Sequence, residues 1–144
     1  KEEIILPALL QETGKFILAD LIASEKKSEL FKSKIASGAS VENVEKELLG
    51  VTTSQITAQI FRHWKLSDNL INMIEHVDDI SNASDNFKKK SQILDVLKTA
   101  CNIKEPLSDE NIEKATQKVL AYGFDVKIFK KAIETLQDRL LEEE

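Results

Sequence analysis

Glycine and proline are scarce in this chain, which has four Gly and two Pro among its 144 residues. An average protein carries roughly 12% of the two together. Tight hairpins and glycine-rich phosphate loops need these residues, so the composition argues against both kinds of structure. No segment alternates apolar and polar residues over the length of a strand. The sequence therefore predicts an all-α fold.

Cysteine and arginine are also rare. The single Cys101 excludes an internal disulfide and any zinc site built from several cysteines. Only Arg62 and Arg139 are arginines, and the formal net charge is −5. Phosphate backbones select basic surfaces, and forked phosphate recognition needs guanidinium groups, so we expect no nucleic-acid partner. No apolar run approaches the roughly 18 residues of a membrane span, and we expect a cytoplasmic protein that does not enter membranes.

Apolar residues recur at spacings of three and four along most of the chain, which is the helical period. The first helical segment should run from Glu2 to about Ala23, with its regular part beginning near Pro7 because proline is tolerated only in the first turn or at a kink. The further segments predicted are Ser28–Ala36, Val41–Leu49, a helix from Thr52 or Thr53 to Trp64, one from Ser67 to Val77, one from Phe87 to Cys101, one from Ser108 to Tyr122 and one from Asp125 to Leu140.

Seven or eight helices of mixed length with unequal loops favour an irregular, globin-like or orthogonal packing over a regular four-helix bundle. We expect one all-α domain over residues 1–144. Polar residues at the expected starts of helices predict N-caps, and a glycine predicts a left-handed C-cap. These residues are Ser40, Thr52 or Thr53, Ser67, Ser108 and Asp125 for the N-caps, Gly38 for the left-handed C-cap, and Gly50 and Gly123 for the ends of two further helices.

The tryptophan, the cysteine and one histidine of this chain are each interpreted as structural residues. Trp64 lies on one helical stripe with Ile56 and Ile60, so we expect it to be largely buried. Cys101 is in phase with the apolar positions before it and is predicted to be a core thiol. His63 lies off the stripe of Trp64 and is predicted to be a surface residue.

Two short segments gather charge. Glu75-His76-Val77-Asp78-Asp79 brings an imidazole and carboxylates together, and a metal site there would need three or four ligands with supporting partners, so we expect a solvated helix end. The basic run Lys88-Lys89-Lys90 lies at a helix start, where the helix dipole disfavours it, so we expect a solvated face rather than an anion site.

Four motifs along the chain follow one pattern. Leu9-Leu10-Gln11-Glu12-Thr13-Gly14-Lys15 comes first, and Glu45-x-x-Leu48-Leu49-Gly50 follows. Trp64-Lys65-Leu66-Ser67 is the third motif, and Ile74 to Asp78 is the fourth. This pattern resembles the HDOD domain, the HD-related output domain of bacterial signalling proteins. In that family the first motif reads Leu-Leu-His-Asp-Ile-Gly-Lys, the second Glu-x-x-Leu-Gly and the third Trp-x-Leu-Pro, and the fourth is a helix that ends near one or two histidines.

The resemblance also implies that the catalytic pocket of the HD phosphohydrolases has lost its metal ligands in this chain. In the catalytic HD phosphohydrolases, which share the helical scaffold, the adjacent His-Asp pair supplies metal ligands. Here Gln11 and Glu12 stand at that position, Thr53 stands where a histidine often follows the glycine segment, and His76 alone remains near the fourth motif. The resemblance therefore implies a degenerate pocket made of Gln11, Glu12, Thr53 and His76, with no catalytic residue, metal or cofactor.

The favoured hypothesis is a non-catalytic regulatory domain of a bacterial signalling protein that acts through protein contacts. One alternative is a metal-dependent phosphohydrolase with unusual ligands, namely Glu12, His76, Asp78 and Asp79. Another alternative is a small-molecule sensor, for example of nucleotides, that uses the vacated pocket at Gln11 and Glu12.

The first helical segment also bears on partners. The chain opens on Lys1 rather than Met, and the family's domain usually has further helices before the first motif, so we expect a partial chain that holds the C-terminal two-thirds of the domain. Apolar residues occupy more than one side of the segment from Pro7 to Ala23. We therefore expect residues 7–23 to be covered on a second side by a protein partner, another copy of the chain, or helices absent from this sequence.

Overall fold

The computed structural model describes residues 2–102 and 104–142, and every regular element in these ranges is helical. The prediction of an all-α fold is confirmed. The described helices are α1 Glu2–Leu10, α2 Gly14–Ser24, α3 Ser28–Ala36, α4 Val41–Leu49, α5 Thr53–His63, α6 Asp68–Glu75, a 3-10 turn at Ile80–Asn82, α7 Asp85–Ala100, α8 Asp109–Ala121 and α9 Val126–Glu142.

The first predicted helix is two helices, and the break does not lie at Pro7. Pro7 lies inside α1, and the chain turns at residues 11–13. The carbonyl of Gln11 and the amide of Gly14 both bond to the hydroxyl of Thr57 rather than to partners within one continuous helix. A tertiary contact from a distant helix thus accompanies the break, and this is why the local pattern missed it.

The predicted N-caps are confirmed. The side chains of Ser40, Ser67 and Ser108 each accept a hydrogen bond from the backbone amide three residues later. Thr52 caps α5 and forms a reciprocal capping box with Gln55. Gly50 ends α4 with a φ of 76°, a left-handed conformation that glycine adopts without a steric penalty.

The described residues divide into two compact units, one ending at Leu94 and one beginning at Asp95. In the first unit, α5 packs against α2 and α6, and α1 also contacts α6. Apolar side chains from α5, α6, the turn after α6 and the second half of α7 form its main core. The buried members are Ala58, Phe61, Leu70, Ile71, Met73, Ile74, Val77 and Leu94.

Helix α5 faces its neighbours with a different stripe from the one expected. Trp64 is 58% exposed, so the prediction that it is buried is wrong. The buried stripe instead carries Thr53, Thr57 and Phe61, with exposures of 0, 0 and 1%. The threonine hydroxyls satisfy their hydrogen bonds inside the protein, so a polar stripe is buried without penalty. Trp64 follows the end of the helix and stacks on Phe61 at 6.0 Å between ring centroids.

In the second unit, α8 packs against α9. A small apolar core there includes Ala115, Val119 and Ile133. Beside it, Asp95 is 7% exposed and accepts hydrogen bonds from the ammonium of Lys118 at 2.6 Å and the hydroxyl of Tyr122 at 2.5 Å. These two donors compensate the buried carboxylate.

The prediction that Cys101 is a core thiol is wrong, because Cys101 is exposed just beyond the end of α7. Its neighbour Ala100 takes the fully buried position. The residues around Cys101 still remove part of its solvent, and this desolvation raises the pKa of the thiol.

The orientation of α5 predicts losses of stability of different size for Phe61, inside the helix, and Trp64, at its C-terminal cap. We expect Phe61→Ala to lower the free energy of unfolding by about 3 to 5 kcal/mol, because it opens a cavity in the core. Trp64→Ala should cost only about 1 kcal/mol, the scale of one exposed aromatic pair. Denaturant melts of both variants measure the difference, and equal losses would contradict the orientation described.

Tyr122, the only tyrosine in the chain, predicts a pH dependence. Desolvation, and then the bond to Asp95, raise its pKa well above its ordinary value near 10. The stability gained from neutral Tyr122 is therefore present below about pH 10 and is lost as the pH rises above it. We expect Tyr122→Phe to flatten the alkaline loss of stability, and absorbance of tyrosinate reports the titration directly. An ordinary titration near pH 10 in the folded protein would contradict this contact.

Candidate functional site

The turn between α1 and α2 meets α5 through one buried hydroxyl. Thr57 Oγ1 lies 3.1 Å from the carbonyl oxygen of Gln11 and 2.8 Å from that of Thr53, both of which can accept its proton. The same oxygen accepts a hydrogen bond from the amide of Gly14 at 2.8 Å. We call this set of contacts the Thr57 joint. It ties the first motif of the sequence to the helix that follows the second motif.

Gly14 makes the close approach at this joint sterically feasible. A Cβ atom built on Gly14 would lie 2.5 Å from the carbonyl oxygen of Thr53 and 2.8 Å from the hydroxyl of Thr57. Backbone atoms cannot give way as a flexible side chain can. The glycine is therefore required by the distance between α2 and α5, and not by its own φ.

Glu45 fixes the beginning of α5 from the neighbouring helix α4. Its side chain is buried at 3% exposure and accepts two hydrogen bonds from Thr53, one from the amide at 2.8 Å and one from the hydroxyl at 2.7 Å. A carboxylate is favoured at a helix N-terminus because the first amides are unpaired and carry partial positive charge. The second motif therefore positions Thr53, and both polar groups of Thr53 that can donate are engaged.

Gln11 and Glu12, which the resemblance assigns to the position of the catalytic relatives' metal-binding pair, lie in the turn after α1. Gln11 is 4% exposed, its side-chain nitrogen lies 3.4 Å from the carbonyl oxygen of Ala8, and no described donor reaches its Oε1. Glu12 pairs with Lys15, with 2.6 Å between Oε2 and Nζ. The two side chains thus have different environments: one is packed inside the protein and the other forms a half-exposed ion pair.

His76 and the two aspartates that follow it lie at the end of α6. His76 is the C-cap residue and is half-buried. Asp78 accepts a hydrogen bond from Ser54 at 2.5 Å. Asp79 accepts hydrogen bonds from Ser81 at 2.8 Å and from Asn82 at 2.6 Å, and these bonds lower the pKa of Asp79.

A polar cavity of about 160 Å³ lies where α4, the start of α5 and the end of α6 meet. Its lining includes Asp78 and Asp79 but none of Gln11, Glu12, Thr53 and His76, the four residues predicted to form a degenerate pocket. The lining residues are Glu42, Asn43, Lys46, Thr52, Gln55, Glu75, Asp78 and Asp79. The contributions of α4 and Gln55 to this cavity were not predicted, although the Thr52-x-x-Gln55 capping pattern indicates a polar pair at the start of α5.

The described contacts bring the four predicted pocket residues together only in part. Gln11 and Thr53 are joined through the hydroxyl of Thr57, but through their backbone carbonyls. Within residues 4–102 and 104–142, no three His, Cys, Asp or Glu side chains are grouped so that they could hold a metal ion.

The remaining singled-out residues lie at the surface of the first unit. His63 is exposed, as predicted, and so are Lys88 and Lys89. Lys90 is half-buried, with its ammonium 5.9 Å from the ring centroid of Phe87. Of the helices in the described ranges, none combines the length and the apolar content that crossing a bilayer demands.

Glu45 is expected to be worth more to stability than any surface carboxylate. Glu45→Gln keeps an acceptor but loses the charge, and Glu45→Ala leaves the donors of Thr53 buried without partners. We expect losses of about 1 to 2 and about 3 kcal/mol in the free energy of unfolding. Glu47→Gln, which breaks only an exposed ion pair with Lys34, is the matched control and should cost under about 1 kcal/mol. Equal losses for Glu45 and Glu47 in denaturant melts would contradict the account of Glu45.

Gly14→Ala tests the close approach of α2 and α5. Because the added methyl group meets backbone atoms, we expect a loss of about 2 to 3 kcal/mol, as in an overpacked core. Gly38→Ala is the control, since nothing lies within 4 Å of its added Cβ and only its φ of 93° opposes the change. If Gly14→Ala melted like the wild type, the helices would not be in contact at this position.

Two solved crystal structures share this fold. A virulence factor from Campylobacter jejuni subsp. jejuni matches with a TM-score of 0.61 and 21% identity, over 84% of this chain and 47% of that protein. The "Putative phosphohydrolase" of Shewanella amazonensis SB2B matches with a TM-score of 0.66 and 22% identity, over 94% of this chain and 50% of that protein. The chain thus spans about half the length of each. No curated protein gives a significant match.

The family model described as the HDOD domain matches residues 1–80, which include all four motifs. The match covers more than half of the 144 residues. It confirms the resemblance drawn from those motifs, and the two crystal structures agree with it at the level of the fold. This protein belongs to the HDOD domain family.

Proposed function

We propose that this protein is a non-catalytic regulatory domain that works through protein contacts in a bacterial cytoplasmic signalling pathway. One observation carries the proposal. Three residues at the positions of the catalytic relatives' ligands have structural contacts: the backbone carbonyl of Gln11 accepts a hydrogen bond from Thr57, the hydroxyl of Thr53 donates to Glu45, and Glu12 pairs with Lys15. These contacts support a structural role for the motif positions rather than an open set of ligands.

Gln11 and Thr53 are the clearest cases. A carboxamide is a poor ligand for a catalytic metal, and that of Gln11 is packed inside the protein at 4% exposure. The hydroxyl of Thr53 donates to Glu45, so it already has its partner. Recruiting Thr53 to a metal would break its buried hydrogen bond to Glu45, which fixes the start of α5.

Fewer observations favour the alternative that this protein is an enzyme. A metal-dependent phosphohydrolase would use Glu12, His76, Asp78 and Asp79, and the Shewanella amazonensis protein bears the name "Putative phosphohydrolase". In this chain, however, Glu12 pairs with Lys15 and Asp78 accepts a bond from Ser54. Metal catalysis needs several ligands held together with supporting contacts, and the described residues offer no such group.

The sensor alternative also depends on Gln11 and Glu12, which do not line the polar cavity. That cavity has four carboxylates and one lysine in its lining, a charge balance that disfavours the phosphates of nucleotides. A regulatory domain, in contrast, needs an exposed surface for a partner. Helices α1 and α2 offer one, because several of their large apolar side chains face solvent.

Restoring ligands of the catalytic relatives tests the proposal. We expect Gln11→His combined with Glu12→Asp, or with Thr13→Asp, to give no metal-dependent hydrolysis of a generic phosphodiester, because the rest of the ligand set is still missing. The assay is run with added manganese, iron or zinc, and the wild type and a chelated sample serve as controls. Metal-dependent turnover above the wild type would support the enzyme alternative.

A further inference from the structure

Helix α9 has an exposed apolar row in addition to the side that packs in the second unit. Its buried residue, Ile133, belongs to the core of that unit. The row, which we call the α9 ridge, consists of exposed residues at intervals of four: Ile128, Ala132, Leu136 and Leu140. The three large members are 70, 39 and 50% exposed. Residues spaced by four form the ridges that fit into grooves between side chains of another helix.

A charged stripe also follows α9. It consists of four exposed residues: Lys127, Lys131, Asp138 and Glu142. At 3.6 residues per turn, these positions lie within about 60° of one another around the helix axis. The first two are basic and the last two are acidic, so the stripe changes sign near the middle of the helix. Arg139 lies between the stripe and the ridge in the second half, where Asp138 and Glu142 outnumber it.

The stripe is self-complementary about the middle of α9. Lys127 and Glu142 are equally far from that middle, and so are Lys131 and Asp138. The ridge has the same centre, close to residue 134. When two copies of such a helix lie antiparallel, each basic position of one copy comes opposite an acidic position of the other. Opposite charges across an interface orient the partners and exclude the arrangement that brings like charges together.

The same charges oppose the dipole of α9 itself. The N-terminal end of a helix carries partial positive charge and the C-terminal end partial negative charge. The first turn of α9 holds Lys127 and no acidic residue, and the helix ends at Glu142. Both charges are disfavoured in an isolated helix. Beside an antiparallel partner, each of them faces a helix end of opposite sign.

The size of the ridge predicts a weak dimer. Full burial of one Leu or Ile side chain corresponds to about 60 to 120 Å². The exposed fractions of the ridge then amount to about 150 Å². Apolar atoms make up about 60% of an interface, so the ridge supports about 250 Å² per subunit, well under the roughly 800 Å² of a stable complex. The contact is therefore reversible, and its strength depends on its charges.

We propose that α9 of one copy packs antiparallel on α9 of a second copy, around a two-fold axis at the middle of the helix. The occupant of the α9 ridge is then a second copy of this chain, because the charged stripe matches its own antiparallel image. The contact involves the second unit alone. It goes beyond the proposed regulatory function, which would also be served by a monomer.

Disulfide trapping in the full 144-residue chain tests the orientation. Cys101 is exposed, so both variants carry Cys101→Ser. Two copies of Thr135→Cys lie next to the two-fold axis, whereas two copies of Ile128→Cys are about 18 Å apart along the helix. A disulfide needs Cα atoms within about 7 Å, so we expect Thr135→Cys to form the covalent dimer at least about tenfold faster. Parallel helices would bring both positions together.

Exchange of charges tests the complementarity. The acid variant carries Lys127→Glu and Lys131→Glu, and the base variant carries Asp138→Lys and Glu142→Lys. Each should dissociate at least about tenfold more readily than the wild type, and a mixture of the two should form a heterodimer. Both variants agree better with the dipole of an isolated helix, so weaker association cannot be attributed to a lost helix. Circular dichroism checks the helix content.

Sedimentation of the full chain up to about 1 mM measures the association at low and at high salt. Salt screens attraction between opposite charges, so we expect the wild-type dimer to weaken as salt is added. Lys88→Glu with Lys89→Glu is the matched control for the acid variant. It makes the same change of net charge at exposed positions of α7 and should associate like the wild type.

Three results would overturn the proposal. A wild type that stays monomeric at low salt excludes the second copy, and binding of a hydrophobic dye to its α9 ridge, lost in Leu140→Glu, would assign the ridge to another partner. Equal trapping rates for Thr135→Cys and Ile128→Cys contradict the antiparallel pair. Charge variants that associate like the wild type, or that stay monomeric when mixed, contradict the complementarity. None of these outcomes bears on the phosphodiester assay, so the dimer and the regulatory function fail separately.

Discussion

The Thr57 joint is the contact on which the first unit depends. One hydroxyl at the centre of α5 holds the turn after α1 and the first amide of α2, and Gly14 leaves the space that the contact needs. Glu45 then fixes the start of the same helix. Both interactions are buried, so their hydrogen bonds must be complete, and small changes of residue type at these positions disturb several helices at once. The core of α5 and α6 is built around a helix positioned by polar contacts.

The same contacts bear on the positions that the resemblance assigns to a degenerate pocket. The carbonyl of Gln11 accepts a hydrogen bond from Thr57, and the hydroxyl of Thr53 donates to Glu45. A metal site would need several ligands held rigidly on neighbouring helices. The structural use of these two residues therefore supports the proposed regulatory role, and the exposed apolar side chains of α1 and α2 offer a surface for association.

The sequence predicted the helices well and their contacts less well. Caps such as Ser40 and Gly50 depend on local chemistry, and the structure confirms them. The break at residues 11–13 depends on Thr57, more than 40 positions away, so no local pattern contains it. The predictions that Trp64 and Cys101 are buried were wrong for a related reason. Periodicity shows which residues share one side of a helix, but the burial of each residue depends on where the neighbouring helix ends. Of the candidate site, the motif positions were readable, but the polar cavity was not, because α4 contributes to it.

Metal binding by this chain decides between a scaffold role and a ligand role for the motif positions. Titration calorimetry with manganese or zinc at neutral pH needs neither a substrate nor knowledge of a partner. If the motif positions serve only the scaffold, the wild type gives no saturable binding, and His76→Ala behaves in the same way. Stoichiometric binding that is lost in His76→Ala and in Asp78→Asn would contradict the account and favour the alternative of a metal-dependent enzyme.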